Sequence, residues 1–554
     1  MSAPRPQPLF TTHEVTNQPP PLLDYNLFTS DAALGAALAA ARKAPDWAAL
    51  QAYGAVLGAA ETLQAAEDAN RHVPELKTHD RYGHRIDEVS FHPAYHHMMG
   101  LGVAHRQPSM AWIDAPGAGH VAHCALEFLM HQVEPGVCCP LSMTYAGVPA
   151  LKHEPMVAEE WLPRLLSDRY DPAFRPAAEK AGATMGMAMT EKQGGSDVRA
   201  NTTQAKALDA RRDEFTLIGH KWFCSAPMCD AFLTLAYSDK GLTCFLVPRW
   251  TPEGKRNRIF IQRLKDKLGN RANASSEIEY HGTWARRVGE EGRGVATIID
   301  MVHHTRLDCA VGSASLMRAA LVQAVHHCRH RRVFQKTLID QPLMQNVLAD
   351  LALEVEAATL LAFHVADAFD ASDDDPAVRG YARLAVAIAK YWLGKRAPNF
   401  VYEAMECLGG GGYVEEAPMA RLYREAPLNS IWEGSGNVIC LDILRTLEKE
   451  PHALAALMSG LDAMRGGDAV FDATLDDVTA SIKAPQAMHL GARRLVERLA
   501  LLLQSALMLR HAPPPVADAF LASRLHGDWG RVYGTLPSGL ALRAIIERAL
   551  APAG

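Results

Sequence analysis

The amino-acid sequence predicts a mainly helical α+β protein in which a compact β unit sits between two helical regions and a further helical module follows. Three observations carry this expectation. With 554 residues at 60.4 kDa, the chain is too long for a single hydrophobic core. Residues 31–181 and 292–445 carry apolar side chains at three- and four-residue spacing, the period of helices with one buried face. Between them, residues 182–291 break into short runs bounded by Gly, Pro, Asp or Asn, several alternating apolar with polar side chains, as antiparallel strands of a sandwich or barrel do.

In chain order, residues 1–30 are Pro-rich and irregular (NQPPPLLDYNLF) and predict an extended arm laid on another surface or subunit. Residues 31–181, with stretches such as DAALGAALAAARKA and HVAHCALEFLMHQV, predict an N-terminal helical domain. In the β domain, 182–291, the runs EFTLIGHKWFCSA, AFLTLAYS, LTCFLVPRW, RIFIQRL and SSEIEYHGTW predict strands. Residues 292–445 hold three stretches long enough for a helical bundle, the last stopped by the glycines from Gly409 to Gly412. Residues 446–554 are helical again, punctuated by Pro485 and by Pro513 to Pro515, and predict an extra domain.

Composition excludes several classes. With 48% apolar and 21% charged residues the chain is neither disordered, collagen-like nor a disulfide scaffold. A net charge of −6 and a pI near 6.5 exclude a polycation that coats nucleic acid or acidic membranes with its whole surface. Ten irregularly spaced cysteines without a CxxC pair predict reduced, mostly buried thiols. The first residues lack an apolar signal region, and no stretch reaches the roughly 18 apolar residues of a membrane span. A soluble, cytoplasmic protein with no membrane partner is the expectation.

Three motifs carry chemistry. Met189-Thr-Glu-Lys-Gln-Gly-Gly-Ser-Asp197 is a small-residue loop that lets backbone N–H groups approach an anion or an electron-rich ring, with the Thr190 and Ser196 hydroxyls beside it; the plain alternative is an ordinary turn. Gly219-His-Lys-Trp-Phe-Cys-Ser225 is an aromatic strand ending in a hydroxyl, which could equally be a core strand. In Asn429-Ser-Ile-Trp-Glu-Gly-Ser-Gly-Asn437, the lone carboxylate Glu433 lies between a bulky ring and a glycine turn. Desolvation there raises its pKa and makes it a better base, although a helix-start Glu favoured by the helix dipole is common.

Taken together, in this order and in a helix–strand–helix chain, these motifs resemble the acyl-CoA dehydrogenase flavoprotein family over roughly residues 180–445. MTEKQGGSD resembles that family's TEPGAGSD loop and GHKWFCS its GxKxWIT strand. DKLGNRANASSEIEY with GEEGRGV, RRVFQ with the following QP, CLGGGGY and SIWEGSGN resemble its next signatures. NQPPPLLDYNLFTSDAAL, RLKDKLGNRANAS, LNSIWEGSGNVICLDILR and the extra C-terminal segment resemble the AidB-type branch of adaptive-response flavoproteins associated with alkylation stress.

The resemblance implies an acyl-CoA dehydrogenase fold with FAD between the β domain and the helical bundle, across a dimer interface within a homotetramer. It implies that Met187, Met189, Thr190, Gly195 and Ser196 contact the flavin, with Phe223 over one face and Ser225 at the ring edge. Arg331, Phe334 and Gln341 would come from the neighbouring subunit, with Gly409 and Gly410 against the nucleotide. Ile431, Trp432, Ser435, Asn437 and Leu441 would close over the cofactor. Glu433 matches the family's base, which removes the α-proton of an acyl thioester. Some relatives place the base before a matching arginine on an earlier helix; here that site is Thr305, before Arg306, so Glu433 is the motif's single candidate. The branch also implies weak dehydrogenase activity on short or branched acyl-CoA substrates and binding of double-stranded DNA, with Arg306 and Arg445 along a substrate or DNA path.

Charge supports the DNA expectation. Residues 483–554 hold nine basic and four acidic groups, net +5, on a body that is net −11. Lys483, Arg493, Arg494, Arg498 and Arg510 are the candidate phosphate contacts, with Leu495, Leu499 and Leu502 on the opposite helix face; a solvated face or a subunit interface is the plain alternative. His326 and His330 lie one helical turn apart, but no carboxylate completes a metal set, so no metal is expected. His303 and His304 read as ordinary helix surface, with a flavin-cavity wall as the alternative. Three readings compete: an FAD-containing DNA-binding protein that shields DNA or destroys alkylating agents, a metabolic short- or branched-chain acyl-CoA dehydrogenase whose extra domain serves assembly, and a structural tetramer whose flavin has lost its catalytic use.

Overall fold

The computed structural model describes residues 12–372, 375–483 and 485–550. Residues 12–30 run extended across the end of a long helix of the same chain: Asn17 O accepts from Arg331 Nη1 at 2.7 Å, and Pro20 O lies 2.8 Å from His326 Nε2. The first helices are α1 (Ala32–Ala40), α2 (Trp47–Gly58) and α3 (Ala60–Arg71). Asp31 and Asp46 cap α1 and α2 by accepting from first-turn N–H groups.

A hairpin then interrupts the region expected to be wholly helical: β1 (Glu75–His79) pairs antiparallel with β2 (Arg85–Ser90). Its turn is held by Asp80, whose carboxylate accepts from the N–H groups of Tyr82 and His84, and by Gly83 at φ 87°. Helices α4 (Pro93–Ala104), α5 (His120–His131), α6 (Pro135–Leu151) and α7 (Pro155–Leu165) complete the first region. Both α5 and α6 are buried along nearly their whole length.

The β unit comprises β3 (Met185–Ala188), β4 (Gln204–Ala207), β5 (Glu214–Ser225), β6 (Ala231–Ser238), β7 (Gly241–Pro248), β8 (Ile259–Leu264) and β9 (Ser275–Val288). Strand β6 pairs with both β4 and β7, which closes β6–β4–β5–β9–β7 into a barrel; β3 joins outside on β6 and β8 on β9. Closure removes the free edges that a flat sheet would leave.

Helix α8 (Gly294–His330) follows, then a short hairpin of β10 (Arg332–Val333) and β11 (Lys336–Thr337), then α9 (Pro342–Asp370), α10 (Pro376–Glu406), α11 (Gly410–Tyr413), α12 (Met419–Glu425) and α13 (Gly436–Lys449). The terminal helices are α14 (Pro451–Asp462), α15 (Ala469–Ile482), α16 (Pro485–His511), α17 (Pro514–Phe520) and α18 (Leu542–Ala549). Two apolar cores result. One fills the barrel and its contacts with α6 and α7. The other is continuous from α1 through the bundle into the terminal helices, where Leu495, Leu499 and Leu502 of α16 are buried.

Charge locks the same junction. Arg524 donates to Asp350 Oδ1 at 2.5 Å and to Glu354 Oε2 at 3.0 Å, and Arg396 of α10 grips Glu354 with two bonds of 2.9 Å. Burial alone would raise the Glu354 carboxyl; Arg396 and Arg524 instead hold it down at about 2. The terminal helices are thus packed into the bundle. Among the described residues, no helix is long and apolar enough to cross a membrane.

Candidate functional site

Between residues 428–430 and α13 the chain makes a tight turn on which Glu433 adopts φ 57° and Gly434 φ 102°. The left-handed region costs a non-glycine residue roughly 1–2 kcal/mol, so contacts must hold it. Arg306 Nε donates to the Glu433 carbonyl at 3.1 Å, and the Lys390 ammonium donates to the Gly434 carbonyl. The buried Thr305 hydroxyl donates to Glu433 Oε2 at 2.8 Å. Arg306 is in turn anchored on Asp442 of α13 at 2.7 Å. Trp432 packs on the edge of the barrel core, and its indole N–H donates to Asn429 Oδ1 at 3.0 Å. Burial pushes the Glu433 carboxyl up, while the Thr305 hydrogen bond, Lys390 and Arg306 draw it partly back. Lys390 is only 1% exposed, and burial brings its ammonium down to about 8.

The loop after β3 is anchored on the barrel. Its buried Glu191 accepts from Lys221 Nζ at 2.8 Å, Thr203 Oγ1 at 2.6 Å and the Thr202 N–H at 2.7 Å. Burial opposes the charge, but these partners hold the carboxyl at about 2 and pin the loop. Thr190 O accepts from the Trp222 N–H at 2.8 Å, tying loop to β5. A Cβ at Gly195 would stand 2.7 Å from Thr190 Oγ1, so only glycine lets the loop fold over that hydroxyl. Ser196 is exposed, and Met187 and Met189 are half-buried against the barrel core. Phe223 is 48% exposed, and Ser225 Oγ lies 3.2 Å from Ser275 Oγ.

The turn and the barrel meet at Cys139 of α6. Burial, opposed by Lys267 and Ser225, pushes its thiol to about 12, with the charge of Glu433 adding to the rise. Cys139 thus links Ser225 and Glu433, and Trp432 packs on the same barrel core as Met187 and Met189, while Thr190 is tied to β5 through Trp222.

A second set lies at the other end of the bundle. Phe334 protrudes from the β10–β11 hairpin at 90% exposure and φ 49°; Gln341 Nε2 braces that hairpin by donating to Val333 O at 2.9 Å. Gly409 has φ 59°, and a Cβ at Gly410 or Gly411 would meet nothing within 4 Å. Cys407, before these glycines, sits with its thiol against that of Cys328, just before Arg331, so hairpin and glycine turn are neighbours. Arg331 follows Thr305 by 26 residues, about 39 Å along the continuous α8 at 1.5 Å per residue. One chain does not bring the two sets together.

Both sets fit a bound FAD. The first offers an open aromatic face at Phe223, hydroxyls at Thr190 and Ser225, and exposed apolar side chains at Ile431 (63%) and Leu441 (49%). The second offers a guanidinium at Arg331 and an open glycine cradle. Ser435 and Asn437 are exposed at the start of α13, and Asn437 Oδ1 accepts from Arg493 Nε at 2.8 Å.

Several expectations need correction. Arg306 does not line an open path: it is buried and committed to Glu433 O and Asp442, a brace rather than a contact. The basic tail is partly turned inward, because α9 presents Asp350 and Glu354 to Arg524 and Glu356 to Arg548; Arg543 stays half exposed and pairs with Asp340, just before α9, and with Glu547 of its own helix. Arg498 pairs with Asp477, and Arg510 contacts Met464 Sδ. Lys483, Arg493, Arg494 and Arg445 remain exposed.

The histidines differ too. The His326 and His330 rings lie tilted by 46° with centroids 4.5 Å apart, His326 bonding the N-terminal arm and His330 the His326 carbonyl. His303 and His304 are half-buried, His304 within a ring cluster with Trp112, His120, Tyr145 and Phe369. Glu127, His131 and Cys138 form a buried cluster the sequence reading did not single out; Glu127 bonds His131 at 3.1 Å, and Gln107 donates to Glu127. Sequence reasoning also missed Lys390, although a lone charge inside the apolar stretch VAIAKYWLG was the available signal.

Comparison with known proteins agrees with this geometry. The family model described as "Adaptive response protein AidB N-terminal domain" matches residues 17–172, "Acyl-CoA dehydrogenase, middle domain" residues 186–283, and "Acyl-CoA dehydrogenase, C-terminal domain" residues 292–448. The AidB protein of Escherichia coli (strain K12) is 44% identical over 538 residues, covering 96% of this chain and 98% of that protein. The structure of Caenorhabditis elegans ACDH-11 in complex with C11-CoA superposes with a TM-score of 0.81 at 26% identity, over 97% of this chain and 93% of that one. An acyl-CoA dehydrogenase from Bacillus anthracis complexed with FAD shares the fold at a TM-score of 0.65 and 16% identity, over 85% of this chain and 80% of that one.

Proposed function

Since the chain belongs to the acyl-CoA dehydrogenase family, in its AidB branch, and that family comprises FAD-dependent oxidoreductases acting on CH–CH groups, we propose that it oxidises a short- or branched-chain acyl-CoA with Glu433 as the base. The observation that carries this reading is the Glu433 turn: a carboxylate bonded by the Thr305 hydroxyl, on a backbone turn whose carbonyls are held by Arg306 and Lys390, near Cys139 and Ser225. When bound, FAD supplies the acceptor for a hydride from Cβ. Thr190, Ser225 and the backbone around Gly195 orient the ring, and Phe223 shields one face. Glu433 takes the α-proton at a carboxylate oxygen, and burial of the turn raises its basicity by keeping water away. Arg331, Phe334, Gln341, Gly409 and Gly410 would serve the FAD of a partner subunit, which makes the functional unit a homo-oligomer, a tetramer by family resemblance.

The test is anaerobic bleaching of the flavin by a panel of short and branched acyl-CoAs. Glu433→Gln should retain FAD and lose bleaching by roughly 10²–10⁴-fold, the range that a positioned base contributes. Bleaching that survives this substitution would overturn the assignment.

Exposed Lys483, Arg493, Arg494 and Arg445 favour a second role, binding double-stranded DNA through phosphate contacts and so protecting it or bringing the flavin to alkylating agents near it. Because the terminal helices share the bundle core, the test is substitution rather than truncation. Arg445→Ala with Arg494→Ala should reduce the salt dependence of duplex binding by about one per contact removed. An unchanged salt slope, or no duplex binding by the intact protein, refutes it.

A further inference from the structure

Lys390 is a buried cation that bonds the turn itself and, among the described residues, has no dedicated acid. Arg306 is neutralised by Asp442 at 2.7 Å, and Arg383 is shared between Glu450 and Asp442. The Lys390 side chain is 1% exposed and bonds the Gly434 carbonyl, and among the described residues no carboxylate lies within ion-pair distance of it. A buried ammonium without countercharge costs several kcal/mol, so whatever carboxylate its field reaches bears on its stability. The groups facing it are Cys309 and Arg306 from α8, Glu433 from the turn and Lys395 from its own helix; Thr305 of α8, Cys139 of α6 and Asp442 of α13 complete the surroundings of Glu433 and Arg306. Cys309 is held as the neutral thiol by burial, Lys395 and Arg306 repel, and Asp442 is taken by Arg306. Glu433 is the remaining anion.

We infer that Lys390 is a positioning residue for the base: its ammonium is the counter-ion of Glu433 and fixes, through the Gly434 carbonyl, the left-handed turn that aims the carboxylate. This rests on Glu433 being the base, but the electrostatic pairing can be read without turnover. The ammonium favours the ionised carboxylate, so Lys390 keeps Glu433 in its proton-accepting form at neutral pH. Removing that charge raises the Glu433 pKa and moves the acid limb of any base-dependent step to higher pH.

The experiment compares the FAD-loaded wild type with Lys390→Met, Lys390→Gln and Lys390→Arg. Lys390→Gln keeps an N–H donor for Gly434 O but no charge, and serves should Lys390→Met not fold. Protonation of Glu433 is followed by infrared difference spectroscopy across pH, with Glu433→Gln as the subtraction that identifies the carboxyl band. The expected result is a Glu433 titration about one pH unit or more higher in Lys390→Met and Lys390→Gln and near wild type in Lys390→Arg, with the acid limb of flavin bleaching moving in step. A Glu433 titration that stays in place in a folded neutral variant overturns the inference, because a purely structural lysine would lower the rate without moving the titration. A shifted titration in a protein that no acyl-CoA bleaches would leave Lys390 as counter-ion and sink the dehydrogenase reading instead.

Discussion

Gly195 and Thr190 show how closely the site depends on single atoms. With a Cβ built 2.7 Å from its Oγ1, Thr190 must rotate or the loop must lift. Gly195→Ala should therefore cost about one hydrogen bond to the flavin, roughly tenfold in FAD affinity, while the Glu191–Lys221 anchor keeps the barrel folded. Flavin content after dialysis, set against an unchanged far-UV spectrum, checks this. At this scale the sequence was legible where a residue type had one evident use. Glu433 stood out as a lone carboxylate between a ring and a glycine turn, and the structure sets it on such a turn. Arg306 was misread because a sequence shows the charge but not Asp442, 136 residues away, that consumes it. Thr305 was noted only for lacking a carboxylate, yet its hydroxyl is a hydrogen-bond partner of Glu433.

At the scale of elements, helical and strand periods placed the barrel strands and the long bundle helices, because their buried faces repeat over many residues. The β1–β2 hairpin escaped because its strands are half solvated; only Leu76, Ile86 and Val89 mark an apolar side. The inward turn of Arg524 escaped for the same reason as Arg306, since α9 supplies the acids. That clamp has a pH signature. Glu354 is held at about 2 against an ordinary 4.5, so its contribution is complete above about 4.5 and lost as pH falls toward 2. The linked stabilisation is on the order of 3 kcal/mol. Trp529 donates to Asp350 and lies under Arg524 at 4.1 Å, so its fluorescence should report undocking within that acid window before the barrel melts. Arg524→Met should move this transition toward neutral pH and destabilise the junction by about 3–5 kcal/mol, the cost of stranding buried carboxylates; an unchanged transition would show that the clamp does not hold the terminal helices.

For the whole molecule, the two residue sets at opposite ends of the bundle predict complementation. A Glu433→Gln subunit and a subunit carrying Arg331→Ala with Phe334→Ala should each be inactive alone. If each FAD site combines one set from either chain, co-expressed subunits rebuild one intact site in every mixed pair, and random pairing restores roughly a quarter of wild-type bleaching. Absence of recovery in purified mixed oligomers would place both sets in separate functions. Phe334 at 90% exposure was legible as a motif residue, but the rise of about 39 Å along α8 from Thr305 to Arg331 could be measured only once α8 was seen to be unbroken.

That unbroken helix is also a measuring rod. Thr305 and Arg331 are set by one continuous helix, so the pitch of α8 fixes the distance and the rotational phase between the residue that bonds Glu433 and the start of the β10–β11 hairpin. One residue gained or lost between them would swing the hairpin by about 100° and slide it by about 1.5 Å. Change along this stretch can therefore proceed by substitution but hardly by insertion, because the spacing of the α8 sequence carries the relative placement of the Glu433 turn and the hairpin.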